Sequence, residues 1–156
     1  MPNNASAVAS LVSDPLAFMQ RNFVHVNYGS ANSGLKQFTL NDDFGRHGKA
    51  KLPNDSLIDG YYLEEGDGGA ASFQAYWCAY EESTVHSITV GSQADLMFTA
   101  TMDGCSLGVG SRTATGDRLV SHANAMSTAD LIYDTLGDRG QIQMAMRLIN
   151  QFHEQT

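Results

Sequence analysis

Several residue types are scarce in this chain, and each scarcity excludes a class of protein. Only 2 of the 156 residues are cysteine, so the chain is not a disulfide-rich secreted scaffold. The 9 basic residues are outnumbered by 17 acidic ones, and the net charge of −8 argues against a surface for nucleic acid or anionic membranes. We therefore expect a basic or neutral protein as the partner, and no nucleic acid.

Long apolar runs are also missing. None approaches the roughly 20 residues that cross a membrane, and no basic stretch followed by an apolar one opens the chain. We expect no contact with a membrane. We expect a protein that is cytoplasmic, or a secreted effector that is delivered without a cleavable signal peptide.

Cofactor and metal motifs are absent in the same way. No Gly-x-Gly-x-x-Gly and no Gly-Lys-Ser/Thr phosphate loop occurs. Asp42, Asp43 and His47 lie close together, but acidic residues in such a polar stretch are mostly turn formers. No second cluster with the spacing of metal ligands accompanies them. We predict no cofactor and no metal.

What the chain does contain is a series of short, β-prone segments. Regular short strands in succession indicate antiparallel pairing. Helical periodicity appears at 14–22 and again over 127–136 and 138–154. We predict an α+β fold, a mostly antiparallel β-sheet or sandwich with helices packed on it. A mobile segment over 1–13 would precede a single catalytic domain over 14–156, and we expect a monomer. The predicted strands cover 73–81, 85–90, 96–102, 106–110 and 118–123.

The stretch from Cys105 to His122 has the pattern of a β-hairpin. Two β-prone segments, 106–109 and 118–120, flank a four-residue loop over 113–116. In this register His122 opposes Leu107 and lies diagonal to Cys105 on the same face, within side-chain reach. The same register makes Arg112 and Asp117 an opposite-charge pair.

A thiol and an imidazole at this spacing are the groups of a cysteine nucleophile and its base. The imidazole accepts the thiol proton and leaves a thiolate, which is the reactive form. Backbone N–H groups in the turn, at Gly104, Cys105 and Ser106, are candidates for an oxyanion hole. The competing interpretation is that Cys105 packs in the core as a small apolar residue.

Three other side chains bear on this site. A hydroxyl of Thr99 or Thr101, or a backbone carbonyl, could orient the second ring nitrogen of the base. Cys78 lies in an aromatic strand-like run and is expected to be a core residue. His86 alternates along a predicted strand, and we expect a surface or core role for it rather than a second base.

A Thr six positions before a Gly-Cys turn, followed by a hairpin and a His, resembles the cysteine amidohydrolases of the CheD and cytotoxic necrotizing factor type. These include bacterial toxins similar to Burkholderia lethal factor, and they deamidate a glutamine side chain of a protein target. The resemblance covers 99–124. It implies that Cys105 is the nucleophile, His122 the general base and acid, and Thr99 the residue that orients His122. It also implies a toxin or effector that acts in virulence on a protein substrate.

The chain departs from those toxins in the turn, because it has Met102-Asp-Gly-Cys105 where they usually have Leu-Ser-Gly-Cys. A carboxylate two residues from Cys105 would tend to raise the pKa of its thiol. Two other functions remain open on these residues. One is a cysteine peptidase or acyltransferase that uses the same dyad, and the other is a non-catalytic binding domain.

Overall fold

The computed structural model describes residues 4–44, 48–82, 84–102 and 105–123. Within these ranges the chain is rich in strand and opens with two helices, which confirms the α+β class. The predicted helices over 127–136 and 138–154 lie outside the described residues. The elements are α1 (Ala5–Ser13), α2 (Pro15–Met19), β1 (Asn22–Val26), β2 (Gly34–Asn41), β3 (Lys49–Lys51), β4 (Leu57–Glu65), β5 (Ser72–Cys78), β6 (Val85–Val90), β7 (Met97–Thr99), β8 (Ser106–Arg112) and β9 (Arg118–Ala123).

Backbone contacts divide the chain into two compact units. The first unit consists of Met1–Tyr28 and Lys36–Ala75, and the second of Gly29–Leu35 and Tyr76–Thr156. Strands β2 and β5 each contribute residues to both units. No described helix has the length and hydropathy that a membrane crossing requires.

Both helices belong to the first unit. Helix α1 lies within the segment 1–13. The Asn4 side chain caps it by accepting the Ala7 N–H at 3.0 Å, and an apolar stripe that includes Leu11 is buried. The predicted cap of α2 is present, since Asp14 Oδ1 accepts the Ala17 N–H at 3.0 Å. This helix ends at Met19, because the following residues enter β1.

The sheet of the first unit has the strand order β1-β4-β2-β5, and β3 also pairs with β4. Strand β4 pairs antiparallel with β2 and β3 but parallel with β1, so the sheet is mixed rather than uniformly antiparallel. The stretch 41–67, rich in acidic residues, contains the nine-residue β4. Leu63 of β4 is fully buried, as are Phe38 and Leu40 of β2, whereas Leu57 and Glu65 at the two ends of β4 are exposed.

The second unit contains the hairpin. Its three-stranded sheet has the order β6-β9-β8, and the C-terminal part of β5 pairs in parallel with β7. The predicted register is confirmed from Ser106, which opposes Ala123, to Val109, which opposes Val120. Buried side chains of β5, β6 and β9 form the core cluster of this unit, Tyr76, Cys78, Ile88 and Val120.

Beyond Val109 the predicted register is wrong. One extra residue on β8 makes a β-bulge, so Arg112 opposes Arg118 instead of Asp117. The loop is correspondingly longer than predicted, with the Thr113 N–H bonded to the Asp117 carbonyl at 2.8 Å. Gly116 in this loop has φ of 90°, a conformation that suits glycine.

The ring of Phe38 is fully buried in the core of the first unit, where it packs against Tyr28 and Phe73. We expect Phe38→Ala to reduce the free energy of unfolding in urea by about 3–5 kcal/mol. Leu57→Ala is the matched control, because the Leu57 side chain is exposed and its loss should cost little. Equal losses in the two variants would contradict this assignment of the core.

Candidate active site

His122 is a buried histidine near the end of the central strand of the three-stranded sheet. Its side chain is 1% exposed, and it opposes His86 on β6 and Leu107 on β8. Side chains alternate along a strand, so His122 shares a face with Val120 of the core cluster. The intervening Ser121 bonds instead to the hydroxyl of Ser87 at 2.6 Å.

Thr99 on β7 contacts this histidine. Its Oγ1 lies 2.5 Å from His122 Nδ1 and donates a hydrogen bond to the Cys78 carbonyl at 2.9 Å. The parallel pairing of β5 with β7 makes Cys78 and Thr99 register partners. The bond to the ring is made by Thr99 and not by Thr101, which is exposed.

This pair of hydrogen bonds determines the tautomer of the His122 ring. A hydroxyl has one hydrogen, and that of Thr99 is donated to the Cys78 carbonyl. The contact with Nδ1 then requires the ring to donate, so the neutral ring carries its proton on Nδ1. Nε2 is left with a lone pair that can accept a proton.

Nε2 of His122 is buried and has no hydrogen-bond partner among the described residues. Burial, with a smaller contribution from His86, lowers the pKa of His122 below its ordinary value of about 6.5. At neutral pH the ring is therefore uncharged. The ring of Tyr80 lies 5.2 Å from it, centroid to centroid, and contributes to its burial. A neutral imidazole with an available nitrogen is the form that a general base requires.

The two cysteines have different surroundings, and neither is in a disulfide. Cys78 is fully buried, its Sγ lies 3.6 Å from the His86 carbonyl oxygen, and burial raises the pKa of its thiol. Cys105 is half-buried and immediately precedes β8. Because Leu107 opposes His122, Cys105 is diagonal to that histidine across the β8–β9 pair.

The remaining predicted groups are placed as follows. Ser106 is the first residue of β8 and is half-buried beside Cys105. Gly104 lies outside the described residues, and so does His47. Over 4–44, 48–82, 84–102 and 105–123 no three His, Cys, Asp or Glu side chains converge as a metal site would require. The Asn41 side chain accepts the Asp43 N–H at 2.9 Å, as in a polar turn.

His86 is the residue of this region whose position the sequence does not reveal. It directly opposes His122, and its Nε2 lies 3.4 Å from Glu81 Oε2. Alternation along β6 predicts the face of the sheet on which the His86 side chain lies, but it does not predict which residue opposes His86. The register between β6 and β9, which are separated by β7 and β8 in the chain, determines that neighbour.

The chain matches no protein-family model, and neither a curated protein sequence nor a solved structure is significantly similar to it.

Thr99→Val should release the ring of His122, because valine has the shape of threonine but neither donates to the Cys78 carbonyl nor accepts from Nδ1. We expect the ¹⁵N shifts of His122 to lose their Nδ1–H signature and the free energy of unfolding to fall by about 1–3 kcal/mol. Thr99→Ser, which keeps the hydroxyl, is the control and should retain the signature. An unchanged spectrum in Thr99→Val would refute the tautomer assignment.

Cys105 should react with iodoacetamide faster than Cys78, because alkylation requires both access and thiolate. At pH of about 6 we expect at least a tenfold difference, read by mass spectrometry of the peptides. His122→Ala should slow the labelling of Cys105 to about the rate of an ordinary thiol. If His122→Ala leaves that rate unchanged, the two side chains are not coupled.

Proposed function

We propose that this chain is a cysteine amidohydrolase that deamidates a glutamine side chain of a protein target. Cys105 is the nucleophile, His122 the general base and acid, and Thr99 the positioning residue for His122. The observation that carries the proposal is the chain of hydrogen bonds from His122 Nδ1 through Thr99 to the Cys78 carbonyl, which leaves Nε2 available as a base. The resemblance to the CheD and cytotoxic necrotizing factor group adds the choice of glutamine.

The geometry supports a division of labour between the two reacting side chains. His122 is buried, so its ring is shielded from water and held in one orientation. Cys105 is only half-buried, in contrast to the fully buried Cys78. The diagonal relation of Cys105 and His122 across β8 and β9 is within the reach of a thiol and an imidazole. We therefore expect the substrate to approach from the side of the half-buried Cys105, with the buried His122 acting from the interior.

The reaction proceeds in two stages. Nε2 of His122 accepts the proton of the Cys105 thiol, and the thiolate attacks the carboxamide carbon of the glutamine. The tetrahedral intermediate collapses, the carbon–nitrogen bond breaks, and the His122 imidazolium gives its proton to the departing ammonia. Water, deprotonated by the same ring, then hydrolyses the thioester, which regenerates the thiol and leaves a glutamate.

Backbone donors near the nucleophile support the charged intermediate. Ser106 is the first residue of β8, where the pairing with β9 begins, and Cys105 immediately precedes it. Donors placed in advance where negative charge develops in the transition state are worth several kcal/mol, about 3 for one donor in known acyl-transfer enzymes. We propose the N–H groups of Cys105 and Ser106 as the oxyanion hole, together with that of Gly104, which lies outside the described residues.

The surface beside Cys105 favours a protein as the substrate. Leu107 and Val109 on β8 are exposed apolar side chains that follow the nucleophile along the strand. They alternate with Gly108 and Gly110, which leave room for a close approach of another backbone. The net charge of −8 favours a target with basic residues near the glutamine. The resemblance adds that the chain is a bacterial toxin or effector.

A cysteine peptidase or an acyltransferase would use the same dyad, and the products separate the three reactions. Deamidation adds about one mass unit and one negative charge to an intact target. Peptide-bond cleavage gives two fragments, and acyl transfer adds the mass of the acyl group or amine. A non-catalytic binding domain changes no mass.

Incubation of lysate proteins with the wild-type chain should convert a specific glutamine to glutamate, and Cys105→Ser should abolish the conversion while the fold is kept. The serine hydroxyl is a far weaker nucleophile than a thiolate at neutral pH, and the exchange alters little packing. Peptide mass spectrometry reads the conversion, and circular dichroism checks the fold. Fragments in place of a mass change would point to a peptidase, and a wild-type sample indistinguishable from Cys105→Ser would reject a cysteine-dependent reaction.

A further inference from the structure

We propose that His86 is a positioning residue that acts through His122: when the His86 ring is protonated, its charge opposes a proton on His122, so that the proton taken from Cys105 is passed on to the leaving ammonia. The inference rests on the proposed role of His122 as base and acid. It adds a residue that the resemblance does not supply.

The first support is the register of the three-stranded sheet. His86 and His122 are direct partners across the antiparallel β6–β9 pair, and directly opposed side chains lie on the same face of a sheet. Their Cβ atoms are then about 4.5–5.5 Å apart. Two imidazole rings at this separation cannot both be protonated without mutual repulsion.

The second support is the unmet hydrogen-bonding capacity of both rings. Nε2 of His86 and Nε2 of His122 are each buried and without a hydrogen-bond partner in the described part of the chain. A buried polar atom left in this way destabilises the fold, and most buried polar atoms have a partner, so two of them on adjacent strands call for an explanation. The 3.4 Å contact of His86 with Glu81 becomes an ion pair when His86 is protonated.

The ionisable groups near the two rings are few among the described residues. Glu81, whose side chain is mostly exposed, faces His86. On the His122 side the neighbours are the Tyr80 ring, the buried Cys78 of β5 and the diagonal Cys105 before β8. Thr99 from β7 contributes a neutral hydroxyl. His86 is therefore the basic group closest in register to His122, and burial and His86 together lower the pKa of His122.

The consequence for the reaction differs between its two proton transfers. A positive charge on His86 makes His122 a weaker base, which slows formation of the Cys105 thiolate. The same charge makes the His122 imidazolium a stronger acid, which speeds protonation of the departing ammonia. Because amide nitrogen is a poor leaving group until it is protonated, the second effect favours turnover.

The test compares His86→Gln, which removes the charge, with His86→Lys, which keeps one. In a Cys105→Ala background, NMR titration of the His122 ring should show a midpoint about 0.5–1 pH unit higher in His86→Gln, and a midpoint at or below the starting value in His86→Lys. In the protein that retains Cys105, alkylation of this thiol at pH of about 6 should be about threefold to tenfold faster in His86→Gln and no faster in His86→Lys. His25→Gln, on β1 of the first unit, is the matched control and should change neither quantity.

A higher His122 midpoint in His86→Gln without a rise in His86→Lys supports the inference, because a purely structural role would move both in the same direction. Equal midpoints in His86→Gln and His86→Lys, or no change in either, would overturn it. The titration requires no substrate, so its result is independent of whether a protein glutamine is deamidated. If His86→Lys does not fold, the titration midpoint of His122 in His86→Gln is compared with that in His25→Gln. A higher midpoint in His86→Gln supports the inference, and equal midpoints overturn it.

Discussion

The candidate site depends on the single hydrogen of the Thr99 hydroxyl. That hydrogen is donated to the Cys78 carbonyl, so the contact with His122 Nδ1 must be donated by the ring. The arrangement exists because β5 and β7 pair in parallel and make Cys78 the register partner of Thr99. Strand β7 has only three residues, and its last residue carries both bonds. A one-residue slip of this short strand would turn the hydroxyl to the opposite face and free the ring.

Burial of the His122 ring costs free energy, so close packing alone does not explain why a histidine occupies this position. A core residue in this position would be apolar, since an unsatisfied ring nitrogen loses its hydrogen bonds to water. His122 instead keeps Nδ1 bonded to Thr99 and leaves Nε2 without a partner among the described residues. Groups held in this way are concentrated at functional sites, where stability is traded for a nitrogen that can move a proton. The opposed His86, with a second unsatisfied Nε2, extends that pattern across the neighbouring strand.

Local features of the sequence predict the hairpin well, and non-local pairing is where prediction fails. The register from Ser106 to Val109 follows from alternation and from the loop residues between the strands, all within 18 positions of each other. The bulge that sets Arg112 against Arg118 adds one residue that alternation cannot reveal. Strand β4 is hidden by its acidic residues, because Asp59 and Glu65 fall in the same alternating set as the buried Leu63 and break the regular polar–apolar pattern of a strand. The choice of Thr99 over Thr101 comes from the family resemblance, since both hydroxyls share a face of an extended segment.

The two cysteines show why residue type alone does not identify a nucleophile. Cys78 is nearer in the fold to the hydrogen-bond chain, because its own carbonyl ends that chain. Yet its thiol is fully buried, and burial raises its pKa, so the thiolate is disfavoured and no substrate can reach it. Cys105 has the opposite combination of partial exposure and a diagonal imidazole. In the proposed mechanism the backbone of one cysteine orients the base, and the side chain of the other is the nucleophile that the base activates. This separation of roles is a physical argument for Cys105 that holds independently of the family resemblance.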